Sequence, residues 1–233
     1  MSEDLVLTLH ADSAELVNST VNEIWESLLL SLLEKQRFDL ALTGGTLGNH
    51  LVAELLIRLN KAGDLTGLHI WFSDERFVPL DSTERNSRLL ADGLTNQTVK
   101  VHFVKSTNEV SHVQEAATLY EAELREVVMD ICVLGLGPDA HVASLFPERW
   151  GPQRVASTKA IAILDSPKSP PRRVSFSIEF INMSHQVWII AAGGSKAQAV
   201  RQVLQSDHSV PAGKVKGKEL TRLIIDRAAN STD

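Results

Sequence analysis

An unbroken apolar run, Ile131 to Leu134, is stopped abruptly by two glycines and a proline. A run without polar alternation is typical of a strand that is buried on both faces of a parallel sheet. Asp139 and His141 follow the glycine-rich turn at once. Because ligands of open α/β sheets bind just beyond the carboxyl ends of the strands, this turn is the first candidate for chemistry.

Apolar segments with strand character alternate with amphipathic helical patterns along the chain. The predicted strands span residues 5–10, 38–43, 68–72, 99–104, 131–134, 160–164, 186–191 and 223–225. This alternation predicts an α/β fold with a doubly wound, mainly parallel sheet and helices on both faces. Since no Pro/Gly/Ser-rich linker divides the chain, we expect a single domain spanning residues 1–233.

The composition limits which partners the protein is expected to bind and in which compartment it is expected to lie. A formal net charge of -6 provides no general attraction for nucleic acid or an anionic membrane. The single cysteine, Cys132, excludes an internal disulfide. The first residues lack the basic and apolar regions of a signal peptide, and no apolar run is long enough to span a membrane. We expect a cytoplasmic monomer or small homo-oligomer that binds neither nucleic acid nor a membrane.

Two glycine-containing loops at predicted strand ends are candidate anion sites. Gly44, Gly45 and Thr46 open a helix, where backbone amides and the helix dipole favour a phosphate. The segment Gly193–Lys196 repeats this arrangement, and Lys196 adds a positive charge. An ordinary turn between a strand and a helix also needs small residues, so the glycines alone leave both interpretations open.

A charged triplet, Asp74-Glu75-Arg76, lies between apolar residues at the end of another predicted strand. Charged groups held near a core need partners or a chemical role. His141 is the candidate acid–base group, because imidazole titrates near neutrality and Asp139 can orient it. The sequence therefore places acid–base and charged groups on separate strand ends of one sheet.

Other site classes find little support in the sequence. Arg173 is a further candidate cation, although it could equally be a surface charge. The motifs GxxxxGK[ST], HExxH and GxSxG and paired cysteines are absent, which argues against a P-loop, a zinc site and a serine hydrolase. Gly135–Ala140 matches the dinucleotide pattern GxGxxG/A, but Pro147 leaves too little chain for the helix that this pattern requires.

Segments in order along nearly the whole chain resemble the glucosamine-6-phosphate isomerase/6-phosphogluconolactonase family. The matching segments are Thr43–Thr46, Trp71 with Asp74–Val78, Asp81 with Asn86, Gly135–Pro147, Pro170–Ser175, Gly193–Lys196, Pro211-Ala212, and Asp226 with Ala228-Ala229. Deaminases of this family continue after the histidine with Asn-Glu-Pro, whereas this chain continues through Ser144-Leu145-Phe146. The resemblance therefore favours the lactonase branch.

The chain also departs from the family pattern. Leu47-Gly48 stands where a proline is frequent, Arg85 replaces a serine, and Ser175 replaces a threonine. Ala140 replaces the glycine that precedes the histidine. This last departure matters most, because a positive φ at this position would strain an alanine.

The resemblance implies hydrolysis of 6-phospho-D-glucono-1,5-lactone to 6-phospho-D-gluconate without a metal or other cofactor. It implies that His141 activates water, that Asp139 holds the imidazole, that Arg76 faces the substrate, and that Asp74 belongs to the same catalytic group. The implied substrate and phosphate contacts are Gly44, Gly45, Thr46, Glu75, Asn86, Arg173 and Lys196. The alternatives are a glucosamine-6-phosphate deaminase or isomerase and a non-catalytic sugar-phosphate sensor.

Overall fold

The computed structural model describes residues 5–149 and 158–231. The helices are α1 (Ser13–Glu34), α2 (Gly45–Lys61), α3 (Arg88–Gly93), α4 (Val113–Leu124), α5 (Ile178–Ile181) and α6 (Ala197–Leu204). The strands are β1 (Leu5–His10), β2 (Phe38–Leu42), β3 (Leu68–Phe72), β4 (Asp74–Arg76), β5 (Lys100–Val101), β6 (Ile131–Gly135), β7 (Ala160–Ile163), β8 (Arg173–Phe176), β9 (Gln186–Ala191) and β10 (Leu220–Asp226).

The main sheet of the described chain has seven strands in the order β1-β10-β9-β6-β2-β3-β5. Every neighbouring pair in this sheet is parallel. Helices cover both faces, so the predicted α/β class is confirmed. Because all strands run in the same direction, the loops that follow β2, β6, β9 and β10 emerge at one edge of the sheet.

Strand β6 shows why the central apolar run lacks polar alternation. Ile131 and Val133 point into a core formed with α1 and α2, whereas Cys132 and Leu134 point into a second core formed with α4, α6 and the smaller sheet. Burial raises the pKa of the Cys132 thiol to about 12, as expected for a core side chain. Both faces of β6 are therefore covered, as the sequence predicts.

Asp12 caps the start of the longest helix, α1. The side chain of Asp12 accepts hydrogen bonds from the backbone amides of Ala14 and Glu15, both at 2.9 Å, and so caps the first turn. The apolar stripe of α1 then packs on the sheet. In the described ranges, none of the helices combines the length and apolar character needed to cross a bilayer.

A smaller antiparallel sheet, in the order β4-β8-β7, lies beside the main one and was not predicted. The charged triplet forms β4, and Asp74 and Arg76 pair with Ser175 and Arg173 of β8. The predicted strand at 99–104 was too long, since it contributes just Lys100–Val101 as β5. Pairing between segments about 100 residues apart satisfies the backbone of β4, and local sequence patterns carry no record of such a partner.

Candidate active site

Two adjoining cavities lie at the carboxyl edge of the main sheet. The first is about 260 Å³ and is lined by Gly44, Gly45, Asp74, Arg76, Asn86, Gly135, His141, Lys168, Arg173 and Lys196, among others. The second is about 420 Å³ and includes Thr46, His50, Gly193 and Asp226. Gly44, Gly45 and Lys196 line both cavities. The four loops that the sequence singles out therefore meet at this edge.

His141 and Asp139 form a hydrogen-bonded pair at the wall of the first cavity. Nδ1 of His141 lies 2.6 Å from Oδ1 of Asp139. A carboxylate accepts and does not donate, so Nδ1 carries the hydrogen, and in the neutral ring Nε2 is then the acceptor. Burial opposes ionisation of Asp139, but the hydrogen bond from His141 and the charges of His141 and Lys168 outweigh burial and lower its pKa.

A tight turn places this pair. The amide of Gly137 donates to the carbonyl of His141 at 2.9 Å, and the amide of Ala140 donates to the carbonyl of Gly137 at 3.0 Å. Ala140 is fully buried and adopts a φ of 59°, the conformation that the sequence identified as a strain for alanine. The amide of Ala212 donates to the carbonyl of Ala140, which ties the turn to the body of the protein.

Asp74 lies at the centre of a buried polar network beneath the first cavity. Its carboxylate accepts from Oγ of Ser144 at 2.6 Å and from Nδ2 of Asn86 at 3.1 Å. Nη1 of Arg173 lies 3.9 Å from the same carboxylate. Gly44 packs directly against Asn86, since a Cβ atom added at Gly44 would lie 1.8 Å from Oδ1 of Asn86. The Gly44 loop can therefore approach Asn86 this closely because residue 44 has no side chain.

Glu75 points away from the cavity. Its carboxylate accepts hydrogen bonds from the backbone amides of Arg76 and Asn86, both at 2.7 Å, and from the amide and hydroxyl of Ser87. Nε of the buried Arg85 lies 3.7 Å from the carboxylate of Glu75. Glu75 therefore holds the backbone that carries Arg76 and Asn86, and its own oxygens are occupied by protein donors.

Both candidate arginines line the first cavity but are differently engaged. Nη1 of Arg76 donates to the carbonyl of Glu84 at 2.6 Å. Arg173 is buried, and its Nε and Nη2 atoms donate to the carbonyls of Pro170, Lys168 and Ser169 at 2.9–3.2 Å. Most donors of Arg173 are thus used to hold the loop 168–170, which includes a cis peptide bond before Pro170.

The proposed phosphate loop opens α2 as the sequence predicts. Gly44 occupies the N-cap position, and Gly45 has a φ of 76°, which favours glycine. Across the cavity, Nζ of Lys196 donates to the carbonyl of Leu136 at 2.7 Å. Burial and the neighbouring charge of Lys168 lower the pKa of Lys196, while Asp139 opposes the shift. The start of α2 and the ammonium group of Lys196 therefore line the same space.

Lys168 and Ser144 belong to the site and were missed from the sequence. Nζ of Lys168 lies 3.2 Å from Nδ1 of His141 and 3.3 Å from Oδ1 of Asp139. The one available signal was a lysine in a proline-rich turn just before the segment that contains Arg173. Among residues 5–149 and 158–231, no group of three or more His, Cys, Asp or Glu side chains is arranged to hold a metal ion.

With this geometry in hand, the chain can be compared with known proteins. The model of the family described as glucosamine-6-phosphate isomerases/6-phosphogluconolactonase matches residues 11–224. The chain belongs to this family. A 6-phosphogluconolactonase of Streptomyces coelicolor is 32% identical over 99% of this chain and 95% of its own length. The human 6-phosphogluconolactonase is 34% identical over 78% of this chain and 74% of its own length.

Solved structures agree with this assignment. The crystal structure of 6-phosphogluconolactonase from Thermotoga maritima has a TM-score of 0.79 at 28% identity and covers 96% of this chain and 100% of its own. A monomeric glucosamine-6-phosphate deaminase has a TM-score of 0.77 at 20% identity, which shows the shared fold. The glucosamine-6-phosphate isomerase/6-phosphogluconolactonase assignment made from the motifs is therefore confirmed.

Proposed function

We propose that this protein hydrolyses 6-phospho-D-glucono-1,5-lactone to 6-phospho-D-gluconate, the lactonase step of the oxidative pentose phosphate pathway. The observation that carries the proposal is the His141–Asp139 pair in a cavity shared with Lys196 and the N-terminus of α2. A base and an anion site in one cavity fit a substrate with a reactive ester and a phosphate. The relatives named 6-phosphogluconolactonase support the same activity.

His141 is the general base in this proposal. Asp139 holds the hydrogen on Nδ1, so Nε2 accepts a proton from the water that attacks the lactone carbonyl. The bond from water oxygen to carbon forms, and the carbonyl becomes an oxyanion that Arg76 faces. When this intermediate collapses, the ring carbon–oxygen bond breaks and His141 returns its proton to the leaving oxygen. General base help of this kind contributes roughly 10²–10⁴ in rate.

The phosphate group binds at the Gly44-Gly45-Thr46 loop and Lys196. The first-turn amides of α2 and the helix dipole favour an anion there. Thr46 lines just the larger cavity, so the phosphate lies toward that side while the lactone ring lies toward His141. Arg173 contributes positive charge and holds the loop 168–170, and Asp74, Glu75 and Asn86 position the groups around the ring.

A pH-stat assay with freshly prepared lactone tests the activity directly. Acid release well above the spontaneous rate is the expected result, and glucosamine 6-phosphate is the comparison substrate. Release of ammonia from glucosamine 6-phosphate with no acceleration of lactone hydrolysis would instead assign the deaminase activity. Tight binding of 6-phosphogluconate without turnover of either substrate would assign the sensor. Cytoplasmic location remains a prediction, which fluorescence of a tagged chain in cells would check.

A further inference from the structure

Lys168 makes contacts that its place in the sequence does not explain. It lies 27 residues after His141, yet its Nζ atom reaches both Nδ1 of His141 and Oδ1 of Asp139, at 3.2 and 3.3 Å. It also lies 5.8 Å from the ring centroid of Phe146, which packs beside the imidazole. Lys168 therefore contacts the proposed base and its partner at once.

Hydrogen bonds from Ser166 and Arg173 hold the backbone of Lys168. Its carbonyl accepts from Nη2 of Arg173 at 2.9 Å and from Oγ of Ser166 at 2.9 Å, and its amide donates to Oγ of Ser166. Arg173 is in turn held near the carboxylate of Asp74 at 3.9 Å. A buried arginine thus connects the network under the cavity to the loop that presents Lys168.

The hydrogen-bonding chemistry decides what Lys168 can do. Because Nδ1 of His141 donates to Asp139, an ammonium group cannot donate to the same nitrogen. Oδ1 of Asp139 therefore accepts from both His141 and Lys168. The ammonium also stands 3.2 Å from the imidazole, so a proton taken up by the ring places two positive charges side by side. The other charged groups that line the cavity are Asp74, Arg76, Arg173 and Lys196.

We propose that Lys168 is a positioning residue for the proposed lactonase reaction, acting through His141 and Asp139. It shares the carboxylate of Asp139 and keeps it turned toward Nδ1, so that Nε2 of the imidazole faces the attacking water. After His141 takes the proton from water, repulsion between the imidazolium and the ammonium favours its return to the leaving ring oxygen. The inference rests on the proposed function, but its central claim concerns the hydrogen bond between His141 and Asp139.

The experiment compares the wild-type protein with Lys168→Met and Lys168→Arg. The side chain of Lys168 is 44% exposed and its backbone is held separately, so the methionine variant should fold. Lys61→Met, at the exposed end of α2, is the matched control for loss of a lysine charge. The downfield Nδ1–H resonance of His141, assigned by its loss in His141→Gln, reports the hydrogen bond to Asp139 and is observed by NMR at neutral pH.

In Lys168→Met, this resonance should broaden or be lost, because the carboxylate of Asp139 loses the donor that keeps it turned toward Nδ1. Lys168→Arg should restore it, and Lys61→Met should leave it unchanged. The kcat of Lys168→Met should fall by about tenfold, the usual effect of losing a hydrogen bond to a charged group, with little change in KM.

An unchanged Nδ1–H resonance of His141 in Lys168→Met would overturn the proposal, whatever the kinetics. A higher KM with an unchanged resonance would assign Lys168 to substrate binding instead. If the wild-type protein failed to hydrolyse the lactone, the proposed function would fall, while the NMR result would still decide whether Lys168 controls His141.

Discussion

Gly137 lies so close to His141 that a Cβ atom added to the glycine would stand 2.0 Å from Nδ1 of the imidazole. The same atom would stand 2.6 Å from Oδ1 of Asp139. The pair can therefore close across the turn because residue 137 has no side chain. The glycine that looked like a strand terminator is a requirement of the acid–base pair.

Gly137→Ala should separate the pair without unfolding the protein. Its φ does not lie in the left-handed region, so an alanine backbone is tolerated there and the side chains of His141 and Asp139 must move. We expect kcat for the lactone to fall by about 10² or more, the usual worth of a general base. Gly63→Ala, where a Cβ atom would meet nothing within 4 Å, is the matched control. An unchanged kcat with normal KM would show that the pair is not needed.

His141→Gln should also lower kcat by at least about 10², because glutamine cannot accept the proton from water. Binding of the product 6-phosphogluconate, measured by calorimetry, should stay within a few-fold of wild type, since the phosphate contacts are separate. His112→Gln, an exposed position, is the control. Weakened product binding with an unchanged kcat would mean that the histidine contributes to binding alone.

Phosphate affinity should depend on pH through Lys196. Its pKa is lowered from 10.5 by burial and by Lys168, so its charge is lost earlier in an alkaline titration than that of an ordinary lysine. Calorimetry with inorganic phosphate between about pH 7.5 and 10 should show weakening affinity as the ammonium deprotonates.

Lys196→Met supplies the test of that assignment. It should bind phosphate roughly tenfold or more weakly at pH 7.5, as expected for the loss of a hydrogen bond to a charged group. In Lys196→Met, most of the loss of phosphate affinity at alkaline pH should also disappear. Equal phosphate affinities of the wild-type protein and Lys196→Met across this pH range would show that phosphate binds elsewhere.

Ala140 can be tested by substitutions in both directions. Ala140→Gly relieves a left-handed conformation that costs an alanine roughly 1–2 kcal/mol, but it loses a buried methyl group worth about 0.8 kcal/mol and adds unfolded-state entropy of roughly 0.5–1 kcal/mol. These effects nearly cancel, so the free energy of unfolding should change by less than about 1 kcal/mol.

Ala140→Val should behave differently. A β-branched residue at a φ of 59° in a fully buried position should destabilise the fold by about 2 kcal/mol or more and lower kcat as the turn distorts. Urea unfolding of both variants measures the difference. A strongly stabilised glycine variant, or a valine variant as stable as wild type, would show that the turn is less constrained than its backbone suggests.

The turn after β6 shows most clearly which features of the site can be predicted from the sequence. Asp139 and His141 are two residues apart, so their pairing is a local event that a buried strand, two glycines and a proline already indicate. The sequence also marked Ala140 as the position where a positive φ would cause strain, and the turn has a φ of 59° there. Features of this kind depend on consecutive residues and can therefore be predicted locally. The parallel sheet then brings the ends of separate strands together.

The sequence by itself determined the α/β class, the family and the strand ends that carry charged and glycine-rich loops. The tertiary structure decided which partner each charged group meets. It turned Glu75 away from the cavity, used most donors of Arg173 on a loop, and placed Lys168 beside His141. The first and last of these contacts join residues 11 and 27 positions apart, and the antiparallel sheet that supports the site pairs β4 with the distant β8. A side chain's partner across such a sheet depends on the folded register, which no local pattern in the chain records.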